Sequence, residues 1–289
     1  MSKAGPCWAS AGTEEEVNLV LHHGIFGFAA LGSVVYFNGV RDHLAVRFPG
    51  LCVLVTQVAP DGTIVRRGTE LGQQIAEALA PGGALDPDEP VHIIAHSMGG
   101  LDARFLLSPN NPGNISDRVA SLTTIATPHK GSPIADVLVA IESGLAGGEE
   151  RLLEHPLRAA LNLAKIPVGG LRDLTTAGVR SFNQQCPDDP RTRKFSVAGV
   201  GRGIQVLGIR LDTCVALRLT HRIIQNRTDE ANDGLVALGS AAWGDGPELW
   251  EADHADEIGH NLDLGLLARP EHFDHLAKYE SLVERLGHI

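Results

Sequence analysis

The chain has 289 residues, 43% hydrophobic and 20% charged, a usage that excludes a disordered polymer and leaves one large domain or two small ones. Lysine and arginine number 24 against 35 acidic residues, a formal net charge of −11, so nucleic acid, which needs clustered cations, is not an expected partner. At this size about 75% of the unfolded surface can be buried, and a core forms without help from a metal or a disulfide.

No stretch approaches the ~20 apolar residues of a membrane span. The first residues have no uninterrupted apolar run, because Glu14, Glu15 and Glu16 break it. A cleavable secretory signal is therefore not expected, and cytoplasmic residence or export by an unconventional route is the expectation for location. Cys7, Cys52, Cys186 and Cys214 lie far apart without metal-type pairing. Disulfides remain open, with free thiols the preferred reading in a chain this long.

In chain order, the apolar and β-branched runs predict strands over Val17–His22, Leu51–Val58, Val91–His96, Leu122–Ala126, Lys194–Val200 and Arg222–Asn226. Helices are predicted between them. Leu71, Ile75 and Leu79 form one stripe within Thr69–Leu79, and Phe273, Leu276, Tyr279, Val283 and Leu286 step by threes and fours near the end. Alternating strands and helices, with nearly continuous apolar strands, predict an α/β fold whose parallel sheet is covered on both faces. Between Pro133 and Arg180 no strand pattern occurs, and Leu153, Leu157 and Leu161 form an amphipathic stripe. Two readings stand: helices packed on the sheet, or a helical cap hinged at Gly147–Gly148 and Gly169–Gly170.

Chemistry concentrates at Val91-His92-Ile93-Ile94-Ala95-His96-Ser97-Met98-Gly99-Gly100-Leu101. An apolar run ends at a serine and a helical pattern follows at once. A serine on such a strand-to-helix turn presents its Oγ above the sheet, and the turn tolerates only small residues two before and two after it. Ala95 and Gly99 occupy those places. A serine nucleophile needs a base, and in this arrangement an acid and then a histidine follow it in the chain. Asp233 lies in Asn232-Asp233-Gly234-Leu235-Val236 just beyond the predicted Arg222–Asn226 strand, and His254 follows in Asp253-His254-Ala255-Asp256-Glu257. His221 precedes the acid, His272 and His275 fall in a helical pattern, and His260 lacks a strand-end position. Val17–His22 leaves through His23-Gly24-Ile25-Phe26-Gly27, a glycine-bearing loop. Its candidate oxyanion donor is the Ile25 N–H, with the Met98 N–H as the second. Each such donor is worth about 3 kcal/mol of barrier. A zinc reading of His254 and His260 fails, since the two sit on different faces of a helix.

These pieces and their order resemble the true bacterial lipases of the Pseudomonas, Burkholderia and Proteus type, in the α/β-hydrolase superfamily. The resemblance runs over most of the chain: His23-Gly24, Arg67-Gly68-Thr69-Glu70-Leu71, Ala95–Gly100, Thr127-Pro128-His129-Lys130-Gly131-Ser132, Leu174-Thr175-Thr176, Phe182-Asn183, Asn232–Val236 and His254-Ala255-Asp256-Glu257. Shortness and the missing signal look closest to the Proteus-like branch. The resemblance implies one α/β-hydrolase domain over residues 1–289 with a cap or lid insertion at about 133–180. It implies acylglycerols and simple esters as substrates, met at a lipid–water boundary, and a Ser97, Asp233, His254 triad. His23, Gly24 and Arg67 would support the oxyanion loop.

It further implies one calcium ion near the histidine and no organic cofactor. Asp212 and Asp256 would supply carboxylates and Leu264 a carbonyl, while His260 stands where the family often has glutamine, a poor exchange for a hard cation. Gly239 stands where secreted relatives place a cysteine, so their disulfide should be missing, and His22 replaces the usual apolar residue before His-Gly. Three rivals keep parts of this picture. A carboxylesterase on soluble esters shares every residue, thioester or amide cleavage shares the triad, and a noncatalytic binding module would have a broken one.

Overall fold

The computed structural model describes residues 17–25, 35–147, 168–202, 204–206, 209–211, 217–262 and 272–286. Its centre is a six-stranded sheet, all neighbours parallel, in the order β2-β1-β3-β4-β5-β8. The strands are β1 (Val17–His22), β2 (Leu51–Val55), β3 (Val91–His96), β4 (Val119–Ile125), β5 (Arg193–Gly199) and β8 (Pro247–Trp250). A separate antiparallel pair is formed by β6 (Ile204–Val206) and β7 (Ile209–Leu211). The expected parallel α/β architecture is thus present.

Period-two alternation divides the core. Leu19 and Leu21 of β1 join Ile94, Trp250 and Tyr279 on one face, against α1 (Val40–Arg47) and α9 (His275–Leu286). Val20, Ile93 and Ala95 point the other way, to α2 (Ile64–Ala78) and α3 (Met98–Leu107). Burial on both faces is why these strands are apolar throughout. β1 lies between β2 and β3, so successive crossovers leave it in opposite senses. The crevice at the carboxyl ends of β1 and β3 is therefore the switch point where open α/β sheets bind ligands. The sequence places Gly24 and Ile25 at the end of one strand and Ser97 at the end of the other.

Several expectations are corrected. Arg222–Asn226 is part of a helix, α7 (Arg218–Thr228), not a strand. Thr220, His221, Ile223 and Ile224 are its buried residues, a three-and-four spacing that the β-branched pair Ile223-Ile224 masks. α2 begins five residues before Thr69, at Ile64, where the Thr63 hydroxyl accepts the Arg66 N–H at 3.3 Å. β2 stops at Val55, and β8 is an edge strand of four residues. Cys52 is disulfide-bonded to a partner outside the described residues, whereas Cys186 is free. Chain length speaks to whether a disulfide is needed, not to whether one forms.

Between Pro133 and Gln185 the described secondary structure is all helical: α4 (Pro133–Glu142), α5 (Val168–Asp173) and α6 (Thr176–Gln185). Ile134, Val137, Leu138 and Ile141 of α4 are buried in a cluster with Ile25, Leu171, Leu174 and Val179. Gly169–Gly170 lies within α5 rather than at a hinge. A Cβ on Gly170 would stand 2.8 Å from Ile25 Cδ1 and 2.9 Å from the Gly62 carbonyl oxygen, so the backbone is clamped there. Leu153, Leu157, Leu161 and Gly148 fall outside the described residues. Among the described residues no helix is long and apolar enough to cross a membrane.

Candidate active site

Ser97 joins β3 to α3 with φ 57° and ψ −132°, a conformation an L-residue adopts only under constraint. The constraint is visible on every side. The Ser97 N–H donates to the Ile125 carbonyl at 2.8 Å, and the Thr127 hydroxyl donates to the Ser97 carbonyl at 2.7 Å. A Cβ on Gly99 would lie 2.7 Å from the His23 carbonyl oxygen and 2.8 Å from that of His22. Ala95 is completely buried. Small residues two before and two after the serine are thus a steric requirement of this turn. The Thr127–Ser132 string contributes here through Thr127, while the Ser132 side chain caps α4.

Asp233 reaches the site differently from expectation. No strand precedes it; α7 does, and an α8 helix (Leu238–Ala241) follows the loop. The loop closes on itself by an Asn232–Ala237 bridge, and Asn232 Oδ1 accepts the N–H of Gly234, whose φ is 97°. Asp233 Oδ1 accepts the N–H groups of Leu235 and Val236 at 2.8 and 2.7 Å. That leaves Oδ2 for the Nδ1–H of His254 at 2.7 Å, and the His254 N–H also donates to the Asp233 carbonyl at 3.0 Å. The acid and the imidazole are thereby held together by side chain and main chain. The loop lies over the end of β5, where a Cβ on Gly199 would meet Asp233 Cβ at 2.8 Å and also strike Glu257 Oε1.

His254 Nε2 is buried and has no hydrogen-bond partner among the described residues, and no bond joins it to the Ser97 hydroxyl. Its ring lies 4.5 Å, centroid to centroid, from that of His96, the residue preceding the serine. Without substrate, catalytic bonds of this kind are commonly long and close only in the complex.

The loop after β1 is held peptide by peptide. Arg67, completely buried, donates to the His23 carbonyl at 2.6 Å, to the Ala59 carbonyl at 3.0 Å and to Asp102 Oδ2 at 2.8 Å. His23 accepts the Val58 N–H on Nε2 at 3.1 Å, which puts its proton on Nδ1 for donation to the Gly24 carbonyl at 2.8 Å. Because a peptide's C=O and N–H point in opposite directions, holding the Gly24 oxygen aims the Ile25 N–H. Among the described residues, neither the Ile25 N–H nor the Met98 N–H donates a hydrogen bond. Burial, and then the proximity of His22 and of the Arg67 charge, holds the His23 imidazole down at about 3, so it stays neutral. His22 pairs with Thr56 and Asp102 beneath this loop, at 2.7 and 3.1 Å.

Of the four residues expected to hold a metal, Asp212 and Leu264 lie outside the described residues. Asp256 Oδ2 accepts the Asp253 N–H at 3.2 Å and stands 3.4 Å from the Arg202 guanidinium. His260 Nε2 donates to the carbonyl oxygens of Val35 and Tyr36, each at 3.0 Å.

Sequence reasoning did not single out the polar residues behind the site. Glu257 is completely buried and its Oε2 accepts from His96 at 2.9 Å. Burial, followed by the charges of Asp233, Asp256 and Asp253, pushes its carboxyl well above the usual range. His96 is held well below its ordinary value, chiefly by burial. No local signal marks this pair, which is 161 residues apart.

A family model described as a PGAP1-like alpha/beta domain matches residues 57–143. A triacylglycerol lipase of Vibrio cholerae is 32% identical over 272 residues, covering 87% of this chain and 82% of its own. A triacylglycerol lipase of Pseudomonas fragi is 28% identical over 279 residues, covering 84% and 87%. Among solved structures, Staphylococcus hyicus lipase has a TM-score of 0.66 at 21% identity, over 94% of this chain and 96% of its own. A metagenomic carboxyl esterase has a TM-score of 0.67 at 17% identity, over 96% and 79%.

Proposed function

The chain belongs to the triacylglycerol lipase family of α/β-hydrolases and is a carboxylic ester hydrolase, and on that premise we propose that it cleaves acylglycerols and simple esters by two-step acyl transfer from Ser97. His254 takes the Ser97 proton as the hydroxyl oxygen attacks the ester carbonyl carbon. Asp233 holds the imidazole with Nδ1 protonated and stabilises the imidazolium that forms. The negative charge gathering on the carbonyl oxygen is received by the N–H groups of Ile25 and Met98. Collapse expels the alcohol, protonated by His254. Water, activated by the same histidine, then releases the acid and regenerates the serine.

The observation carrying this reading is the His254 imidazole, bonded to Asp233 through one nitrogen, unbonded at the other, and seated on the residue preceding a constrained serine. The noncatalytic reading loses ground on the same observation, since a binding module has no need of a buried unbonded base. A burst of p-nitrophenol from p-nitrophenyl butyrate is expected, lost in Ser97→Ala. Hydrolysis by that variant at the wild-type rate would refute the reading. Tributyrin separates lipase from esterase: a rate that climbs once the substrate exceeds its solubility supports the former.

A calcium ion is not part of this proposal. The carboxylate of Asp256 already faces a guanidinium, and the His260 nitrogen is engaged as a donor. A ring nitrogen does not suit a hard divalent cation, which takes oxygen ligands, and the Asp256 carboxylate would have to leave the Arg202 charge to serve one.

A further inference from the structure

We propose that Tyr36, His96 and Glu257 form a positioning relay that locks the oxyanion loop to the loop carrying the base. The proposal rests on the assignment of the Ile25 N–H as an oxyanion donor, and extends it to side chains that touch no reacting atom.

The Gly24 N–H donates to the Tyr36 hydroxyl at 3.0 Å, and that hydroxyl donates to His96 Nδ1 at 2.7 Å. His96 Nε2–H donates to Glu257 Oε2 at 2.9 Å, and the same oxygen lies 3.8 Å from His254 Nδ1. Hydrogen bonds therefore run from the oxyanion loop, through the residue before the nucleophile, to Glu257, whose carboxyl stands beside the base without bonding to it. Tyr36, His96 and Glu257 are all buried, so water does not substitute for a lost member.

Gly24 is where such a clamp matters. Its would-be Cβ lies 2.7 Å from Ser97 Cβ and 2.9 Å from the Tyr36 hydroxyl, so only glycine fits. Glycine offers little resistance to backbone rotation. The peptide before it is fixed by Arg67 at the carbonyl and by Tyr36 at the N–H, and the peptide after it by His23. Tyr36 thus supplies the restraint on one side of the rotatable Cα, and His23 the restraint on the other. With Tyr36 released, the preceding peptide is held by Arg67 alone, so rotation at the Gly24 Cα is restrained less on that side and the aim of the Ile25 N–H shifts.

The Tyr36 segment is itself seated on the base loop. His260 holds the Tyr36 carbonyl, the Asn38 N–H donates to the Ile258 carbonyl at 3.1 Å, and Asn38 Nδ2 donates to that of Gly259 at 2.9 Å. His96, His254 and Glu257 also bring ligand atoms within 4.8 Å of one another, a spacing that a metal would accept. Both nitrogens of His96 and the Nδ1 of His254 are committed to hydrogen bonds, which leaves only His254 Nε2 and Glu257 Oε1 for an ion, too few ligands for a site, so the relay accounts for the cluster better.

The test uses the full chain and p-nitrophenyl butyrate, with butylboronic acid as a mimic of the tetrahedral intermediate. Losing an oxyanion donor outright costs about 10²–10³ in kcat, so misaiming one that remains should cost about tenfold. Tyr36→Phe is expected to lower kcat about tenfold, leave KM within about twofold, and weaken boronate inhibition in parallel. Glu257→Leu should do the same, and Glu257→Gln, which keeps an acceptor oxygen, should recover most of that loss. The double variant Tyr36→Phe/Glu257→Leu should be no worse than about twofold below the poorer single variant, because both break one path. Unchanged kcat and boronate affinity in Tyr36→Phe, or losses that multiply in the double variant, would overturn the relay. Should Glu257→Leu not fold, Tyr36→Phe, which removes one oxygen atom and keeps the ring, decides alone. An active Ser97→Ala would remove the underlying mechanism, whereas an inactive Ser97→Ala beside an unimpaired Tyr36→Phe would remove the relay only.

Discussion

Acid should loosen this fold through His23. Its imidazole is held near 3 in the folded chain against an ordinary 6.5. Between those values the folded protein keeps it neutral while the unfolded chain takes up a proton. The state that binds more protons gains as pH falls, so stability declines below about 6.5 and continues to decline until the folded value is reached. Each pH unit in that window costs about 1.4 kcal/mol, so about 2 kcal/mol of stability is lost to this residue by pH 5. The physical cause is burial, with the proximity of His22 and of the Arg67 charge adding to it, and a second proton would also displace the Val58 N–H from Nε2. His22, His96 and His129 are shifted in the same direction, so the wild-type curve alone does not isolate His23. Urea unfolding of wild type and His23→Asn at pH 7.5 and pH 5 does, because the other histidines cancel in the difference. The advantage of wild type over the variant should shrink by about 2 kcal/mol at the lower pH. An advantage equal at both pH values to within about 0.5 kcal/mol would refute the reasoning.

Three further outcomes follow from the same contacts. Asp233→Asn should lower kcat by about 10⁴ with little change in KM, since it withdraws the acceptor that fixes the His254 tautomer; a loss below tenfold in steady-state kinetics would count against that role. Gly199→Ala should cost about 1–3 kcal/mol in urea unfolding, because its Cβ meets Asp233 and Glu257 and the loop over β5 must shift; unchanged stability would contradict the packing described. Excess EDTA should leave the thermal midpoint unmoved, while Arg202→Gln should lower it by removing the charge facing Asp256. A midpoint that falls with EDTA and returns with calcium would show that an ion, not Arg202, serves this place.

Local chemistry was what the sequence carried well. β1 and β3 are bounded at the residues expected, because strands buried on both faces are continuous apolar runs. The serine turn was legible because its steric demands fall on residues two positions away. Where structure depends on distant contacts, the signal faded. α7 buries Ile223 and Ile224 through helical spacing, yet side by side the pair looks like a strand. β8 has four residues, begins with proline and leaves Leu249 exposed, so neither alternation nor an apolar run announces it. Arg202 opposite Asp256, Tyr36 bonded to His96, and His96 bonded to Glu257 each join residues far apart in the chain. Nothing in a window of neighbours marks such pairs.

The most direct measurement is covalent labelling with a p-nitrophenyl alkylphosphonate, followed by peptide mass spectrometry. The account predicts a single adduct on the peptide containing Ser97, release of one equivalent of p-nitrophenol, and no labelling of Ser97→Ala. An adduct on another residue, or labelling of the variant at the wild-type rate, would contradict it.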